Sequence, residues 1–431
     1  MRLALPPLLI LLLSTCGRAQ HSQLADSIVA VLEEAIAAKA FPGAQVYALH
    51  RGELLLHVTA GHHTYANRRP VRKDDVYDLA SVTKTSSGLL YLMQQYDRGA
   101  LDLDAPLGTL FPAWKGTDKG ERTLRSALAH RAGLLPWVPF WRGTLKDNAR
   151  YPWQKNWDAT LTNDGRFRRR TLRRDSTRRF PIRLTDDLWL HRKYREKNIY
   201  RAIRKSPLEP EGNYKYSGLL FYLLPEYVAR NTGQDYRTYL REQFYDPLGA
   251  TTLGYRPLDR GIPLDRIVPT EVDNFFRMDT LHGTVHDEGA ALMAGVSGNA
   301  GLFSTAEDLG KLYQMLLNGG TAGGKQYFRA ETIREFTRYQ YPEEGSRRGL
   351  GFDKPLLEYD AAKSSTAKAA SAESFGHSGY TGTFVWADPT HDLVFIFLSN
   401  RVHPTRSARA IYELGVRPRV QALVYEMIGV R

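Results

Sequence analysis

The chain is 431 residues long, with 42% hydrophobic and 24% charged residues. That balance excludes a wholly disordered or fibrous chain, and the length allows one large domain or two to three ordinary ones. Its single Cys excludes an intrachain disulfide framework and a Cys-based zinc cluster. The formal charge of +13 at pH 7 raises nucleic acid, membrane or acidic glycan as partners. Residues 137–205 hold 20 Lys/Arg against 7 Asp/Glu, so this one segment carries the whole excess. Nucleic-acid binders carry a recognisable module as well as charge, so no nucleic-acid partner is expected.

Arg2, the apolar run Leu3–Leu13 and the small residues Gly17 and Ala19 read as a signal peptide over 1–19, cleaved after Ala19. Leu13-Ser14-Thr15-Cys16 also loosely resembles a lipobox, which would anchor the protein at Cys16. Either way the chain is expected to be exported, periplasmic or secreted, with a membrane contact only through a lipid on Cys16. No later apolar stretch is long enough to span a bilayer.

Ser22–Ala38 predicts an amphipathic helix. Gly43–Leu49 and Glu53–Val58 predict two strands joined by a tight turn at Arg51-Gly52. Asp78–Arg98 predicts one long helix, and Leu124–His130 a short one ended by Ala132-Gly133. Trp137–Lys205 is rich in Arg, Trp and Tyr with weak periodicity. Ser217–Asn231 predicts a helix, as does Ser304–Leu317, where Ser304-Thr305-Ala306-Glu307 fits a capping box. Ala361–Ser374 is a low-complexity Ala/Ser/Lys stretch that reads as a mobile loop. Thr383–Ala387 and Leu393–Ser399 predict strands around Asp388-Pro389, the second buried on both faces because it lacks alternation. Val420–Ile428 closes as a helix. The whole predicts an α+β fold, an α/β/α sandwich. Its antiparallel sheet is formed by both chain ends and covered by helices, with a mostly helical lobe inserted between them. Residues 20–431 would form a single domain, with 137–205 a basic insertion in the helical lobe.

Ser81-Val82-Thr83-Lys84 opens a helix, and residues three apart share a helix face. The Lys84 ammonium would lie beside the Ser81 hydroxyl, a weak nucleophile until a neighbouring base takes its proton. A second Ser-x-x-Lys, Ser365–Lys368, lies in the low-complexity stretch. Tyr216-Ser217 stands at another helix start, and a phenol beside an ammonium can relay protons. His377-Ser378-Gly379-Tyr380 leads towards the buried strand, where glycine permits close backbone approach and successive N–H groups can stabilise an oxyanion. No Gly-x-Ser-x-Gly elbow and no His-Glu-x-x-His pair occurs. His286-Asp287-Glu288 reads as a segment that orders the loop before Gly298–Phe303, and no metal or cofactor is expected.

The order Ser-x-x-Lys, Tyr-Ser, His-x-Gly before an edge strand resembles the serine β-lactamase and penicillin-binding-protein superfamily. The closest branch holds class C β-lactamases, D-Ala-D-Ala carboxypeptidases and related esterases. Leu128–Leu134, Val285–Glu288, Gly298–Ser304 and Gly349–Asp353 add to the likeness, which covers Gln23–Arg431 except Trp137–Lys205. The resemblance implies Ser81 as the acylated nucleophile, with Lys84 and Tyr216 sharing base and relay work. It implies an oxyanion hole from the N–H groups of Ser81 and Tyr380, and a substrate edge lined by His377, Ser378, Gly379 and Gly218. Two positions depart from the pattern. Gly218 stands where the family has a side-chain amide, and His377 where it has a lysine. Both changes point away from penicillin hydrolysis and towards esterase, amidase or D-Ala carboxypeptidase work on cell-wall-related substrates. The alternative is a catalytically weak member that binds peptidoglycan or another anionic polymer. Arg166–Arg179 is the expected contact for such a polymer.

Overall fold

A computed structural model describes residues 7–66 and 69–430, with side chains from residue 21 onward. Arg2 lies outside the described residues, as do the side chains of Leu3–Leu13, Cys16 and Ala19. Helix α1 (Pro7–Ala37) leads into β1 (Gly43–His50) and β2 (Glu53–Gly61). Arg51 (φ 54°) and Gly52 (φ 78°) are both left-handed, the backbone that matches a two-residue turn to the strand twist. The chain then builds a second layer from α2 (Thr83–Ser86), α3 (Gly88–Asp97) and α4 (Leu124–Leu128). The short strands β3 (Leu172–Arg173), β4 (Ile182–Thr185) and β5 (Leu188–Leu190) follow, then α5 (Leu224–Thr232) and α6 (Ala306–Leu317). It returns through β6 (Phe375–Ser378), β7 (Phe384–Asp388) and β8 (Leu393–Ser399) and ends in α7 (Val416–Met427).

The long strands form one antiparallel sheet in the order β6-β7-β8-β1-β2. Ala44 of β1 faces Ser399 of β8, so the two chain ends share the sheet as expected. Alternation assigns the faces. Val46 and Ala48 with Phe395 and Phe397 pack under Ile28 and Leu32 of α1 and Val420 and Val424 of α7. Tyr47 and Leu49 with Val394 and Ile396 pack on the other side, in the cluster holding Leu309 and Leu312 of α6. Both faces of β8 are covered, which explains its unbroken apolar sequence. The result is the expected sandwich of helices on both faces of an antiparallel sheet.

Three expectations need correcting, at 78–98, at the cap of α6 and at 361–374. The helix expected over 78–98 is broken at Ser87 (φ −138°, ψ −105°). There the Ser87 hydroxyl donates to the Thr83 carbonyl at 2.6 Å and accepts from the Tyr236 hydroxyl at 3.1 Å. The side chain thus supplies contacts that a continuous helix would have drawn from the backbone. At α6 the cap is Thr305, whose hydroxyl accepts from the Asp308 N–H, while Ser304 ends a short strand. The 361–374 stretch is irregular but pinned, because the buried Ala367 donates its N–H to Gln421 Oε1 of α7 at 2.8 Å. Residues 137–205 fold around a small sheet ordered β3-β5-β4, and their helical content is limited to the turns Arg142–Thr144 and Arg195–Tyr200 and the helix Arg201–Lys205. Helical periodicity was weak there because the segment is mostly not helical.

Candidate active site

Ser81 sits in a tight 3₁₀ turn, Ala80–Val82, immediately before α2. Ala80 is left-handed (φ 45°), a conformation that costs an L-residue about 1–2 kcal/mol. The surroundings hold it. Asp78 Oδ1 accepts the Ala80 N–H at 2.8 Å, and its Oδ2 accepts the His286 N–H at 2.7 Å. The carbonyls of Asp78 and Leu79 accept from the Thr381 and Thr383 hydroxyls at 2.8 and 3.0 Å. Thr83 Oγ1 accepts the Leu302 N–H at 3.1 Å. Burial of Asp78 raises its pKa, and the N–H groups of His286 and Ala80 only partly oppose this.

The two residues three apart meet as their spacing predicts. Lys84 is 2% exposed, and its Nζ donates to Ser81 Oγ at 3.1 Å and to the Asn299 carbonyl at 2.9 Å. Ser81 itself remains half-buried. Tyr216 comes alongside with its ring rather than its hydroxyl. Lys84 Nζ lies 5.3 Å from the Tyr216 ring centroid, while Tyr216 Oη has no hydrogen-bond partner among the described residues.

What delivers Tyr216 is a local pairing that begins where α4 ends. The Lys215 N–H donates to the His130 carbonyl and the Glu209 N–H to the Gly133 carbonyl, each at 2.8 Å. The Ser217 N–H donates to His130 Nδ1 at 3.2 Å. Gly133 is required at this pairing. It has φ 71°, and a Cβ there would lie 2.0 Å from the Glu209 carbonyl oxygen. The His130 ring packs 4.5 Å from Tyr216, and the His377 ring 6.1 Å from it.

The third wall is the end of β6. A Cβ on Gly379 would meet Thr383 Oγ1 at 2.0 Å and the Leu79 carbonyl at 2.5 Å, so this backbone lies directly against the Ser81 turn. Ser378 is half-buried beside it, and Tyr380 is exposed, its ring 4.5 Å from the Arg401 guanidinium and 5.7 Å from His286. His377 is buried. Its Nδ1–H donates to the Ser378 carbonyl at 2.7 Å, and its Nε2 has no partner among the described residues. Burial, then the charges of Arg348 and Lys84, push its pKa down to about 3, so the ring is neutral at pH 7. Gly218 stands over the lysine, where a Cβ would meet Asn299 Cβ at 3.7 Å and Lys84 Cε at 3.9 Å, ordinary contact distances.

Ser81, Lys84, Tyr216, Gly218, His377, Ser378, Gly379 and Tyr380 are therefore drawn from three stretches of chain to one place. Four residues of this cluster had no role assigned from the sequence. Asn299 supplies the second Lys84 contact, and Asp287 Oδ1 in turn accepts from the Asn299 amide at 3.3 Å. His130 packs on Tyr216. Asp78 braces the turn. Arg348 is buried against Asp353 at 2.8 Å, its guanidinium 5.8 Å from the Tyr216 ring. Asn299, His130 and Asp353 lay inside motifs already noted, but only contact identifies their partners. His286-Asp287-Glu288 orders its surroundings as expected: His286 meets Glu271 at 2.9 Å and Asp287 caps the following helix. Among the described residues no group of three or more His, Cys, Asp or Glu side chains is arranged to hold a metal ion.

A serine hydroxyl bonded to a buried amine, beside a phenol and a strand edge, can carry out acyl transfer without a metal-bound water. The Beta-lactamase family profile matches residues 28–416. The chain belongs to this family and is a serine hydrolase. It is 31% identical over 347 residues to an Escherichia coli K12 protein named "Putative D-alanyl-D-alanine carboxypeptidase", covering 76% of this chain and 69% of that protein. Among solved structures it resembles a penicillin-binding protein homologue from Caulobacter crescentus (TM-score 0.64, 20% identity, 94% of this chain and 97% of the other). It also resembles a class C β-lactamase from Rhodobacter sphaeroides (TM-score 0.59, 17% identity, 92% and 99%). These two establish the fold.

Proposed function

We propose that this is an exported serine hydrolase that works through an acyl-enzyme on Ser81, on ester, amide or D-alanyl substrates of cell-wall origin. The observation that carries the reading is the 3.1 Å contact from Lys84 Nζ to Ser81 Oγ, with the ammonium fixed from behind by the Asn299 carbonyl. In the first step Ser81 Oγ bonds to the substrate carbonyl carbon and its proton passes to the Lys84–Tyr216 pair. The N–H groups of Ser81 and Tyr380 take the oxyanion. The bond to the leaving alcohol or amine then breaks, and the relay returns the proton to it. Water repeats the sequence, releasing the acid and restoring the serine. Export is supported by Arg2, the Leu3–Leu13 run and Ala19, with attachment at Cys16 as the alternative route. Among the described residues no helix is long and apolar enough to cross a membrane.

The relative's name points to D-alanyl peptides. The neutral His377 and the bare Gly218 favour a second emphasis, acyl donors without a terminal carboxylate, because the family's lysine position offers no ammonium here. Incubation of the purified protein with a fluorophosphonate, a penicillin, a short ester and a D-Ala-D-Ala peptide, followed by intact mass and product analysis, tests both. Covalent mass on wild type but not on Ser81→Ala is expected, with ester turnover exceeding peptide turnover if the neutral edge decides specificity. A protein that takes up none of these at Ser81, yet still sediments with peptidoglycan, would be a binder rather than the proposed hydrolase.

A further inference from the structure

The basic excess of residues 137–205 is not spread over the surface as a stripe. A concave pocket of about 750 Å³ opens in this segment. Arg150, Arg169, Arg170, Arg173 and Arg179 line it together with Lys193 and Lys197, and no carboxylate does. Basic side chains of the segment divide by position. Arg166 pairs with Asp147 and Asp164, Arg174 with Asp187, Arg183 with Asp186 and Arg195 with Glu196, and none of these four arginines lines the pocket. None of the seven lining cations has a carboxylate partner among the described residues. Within the run Arg166–Arg179 the basic side chains therefore differ in their surroundings. Arg166 is neutralised by its partners and Arg168 is tied to the Asn148 carbonyl, whereas Lys193 and Lys197 join the pocket from a later stretch.

Seven unpaired cations around one concavity repel each other, and the fold leaves that repulsion standing. The lining His191 registers the field. Burial first, then Lys197, Arg192, Arg179 and Lys193, lower its pKa. Five of the seven are arginines, whose planar forks match phosphoryl oxygens two at a time. A phosphomonoester carries about −1.5 to −2 at pH 7, so the pocket's charge balances roughly four of them, or seven separate carboxylates. Crowding seven carboxylates into this volume needs far more ligand than four compact phosphoryl groups.

We propose that this pocket is a binding site for a ligand bearing several phosphoryl groups, separate from the Ser81 site. The ligand is either a soluble or polymeric phosphate or the headgroups of an anionic phospholipid surface. Binding here does not depend on Ser81 chemistry, so the proposal stands or falls apart from the hydrolase reading.

The test uses the full chain and sodium tripolyphosphate in a calorimetric titration at about 50 mM salt, where screening is weak. Saturable binding is expected. Arg170→Glu/Lys193→Glu should weaken it at least about tenfold, since each reversed cation removes a charge-assisted contact. The charge-matched Arg166→Glu/Arg183→Glu, outside the pocket, should stay within about threefold of wild type by the same scale. Arg170→Gln/Lys193→Gln repeats the measurement without placing negative charge in the segment, and thermal melts confirm that each variant is folded. Flotation with phosphatidylcholine vesicles containing phosphatidic acid, whose headgroup is a phosphomonoester, separates the sources. Vesicle capture lost in the pocket variants assigns the headgroup, and tripolyphosphate binding without vesicle capture assigns a soluble or polymeric phosphate. The proposal is overturned if neither probe binds, if both double variants lose affinity equally, or if citrate binds as tightly as tripolyphosphate.

Discussion

Replacing Lys84 by Met tests the centre of the proposed mechanism while disturbing the packing little. Lys84 is 2% exposed, and an unbranched thioether can occupy the channel its alkyl stem fills. Two contacts disappear, to Ser81 Oγ at 3.1 Å and to the Asn299 carbonyl at 2.9 Å. The second leaves a buried carbonyl without its donor, a cost of about 1–3 kcal/mol, partly offset by no longer holding an ammonium away from water. Folding should therefore survive with a modest fall in melting temperature. The chemical effect should be much larger. A positioned general base contributes about 10²–10⁴-fold to proton transfer, or roughly 3–5 kcal/mol of barrier. Fluorophosphonate labelling of Ser81, followed by intact mass against time, should slow by that factor in Lys84→Met. A folded variant that labels within about threefold of wild type would show that the contact seen here is not the one that activates the serine.

Three further outcomes follow from the geometry. Tyr216→Phe removes only a hydroxyl that has no hydrogen-bond partner among the described residues, so folding stability should hold within about 0.5 kcal/mol while acylation slows by tenfold or more if the phenol relays protons; an unchanged rate would remove the phenol from the mechanism. Gly133→Ala imposes φ 71° on a side chain whose Cβ would lie 2.0 Å from the Glu209 carbonyl; denaturant titration should show a loss above about 1 kcal/mol, together with slower acylation as Tyr216 loses its support. Burial pushes the Glu271 carboxyl up, but hydrogen bonds from Arg406 and His286 outweigh it and hold the pKa at about 2, against 4.5 when free. Because the folded value is depressed, the stabilisation is full above pH 4.5 and is lost as pH falls towards 2, about 3 kcal/mol in all. Stability measured from pH 6 down to about 2.5 should therefore fall more steeply in wild type than in Glu271→Gln; parallel profiles would contradict the assignment.

Local arrangements were legible in the sequence and distant ones were not. Ser81 and Lys84 are joined by helix geometry, so their spacing was enough. The Arg51-Gly52 turn and the two flanking strands followed from period and turn chemistry. The interruption at Ser87 was not readable, because a Tyr236 hydroxyl 149 positions away takes part in it. Asn299 is 215 positions from Lys84, and nothing in Gly298–Ser304 says that its carbonyl, rather than its amide, faces the ammonium. The phenol of Tyr216 was expected to meet the lysine directly, whereas the ring face does so.

Charge divides in the same way. Composition and order along the chain determined that one segment holds the whole +13 excess, that a serine and an amine share a helix face, and that both ends of the chain build one sheet. Only the tertiary structure decided which arginines are spent on neighbouring carboxylates and which are left facing a common pocket. It alone decided that His377 is buried beside Arg348 and Lys84, which pushes its pKa down to about 3. The physical reason is one of range. Backbone periodicity couples residues three or four apart, while burial, desolvation and Coulomb fields depend on neighbours that the chain brings together from hundreds of positions away.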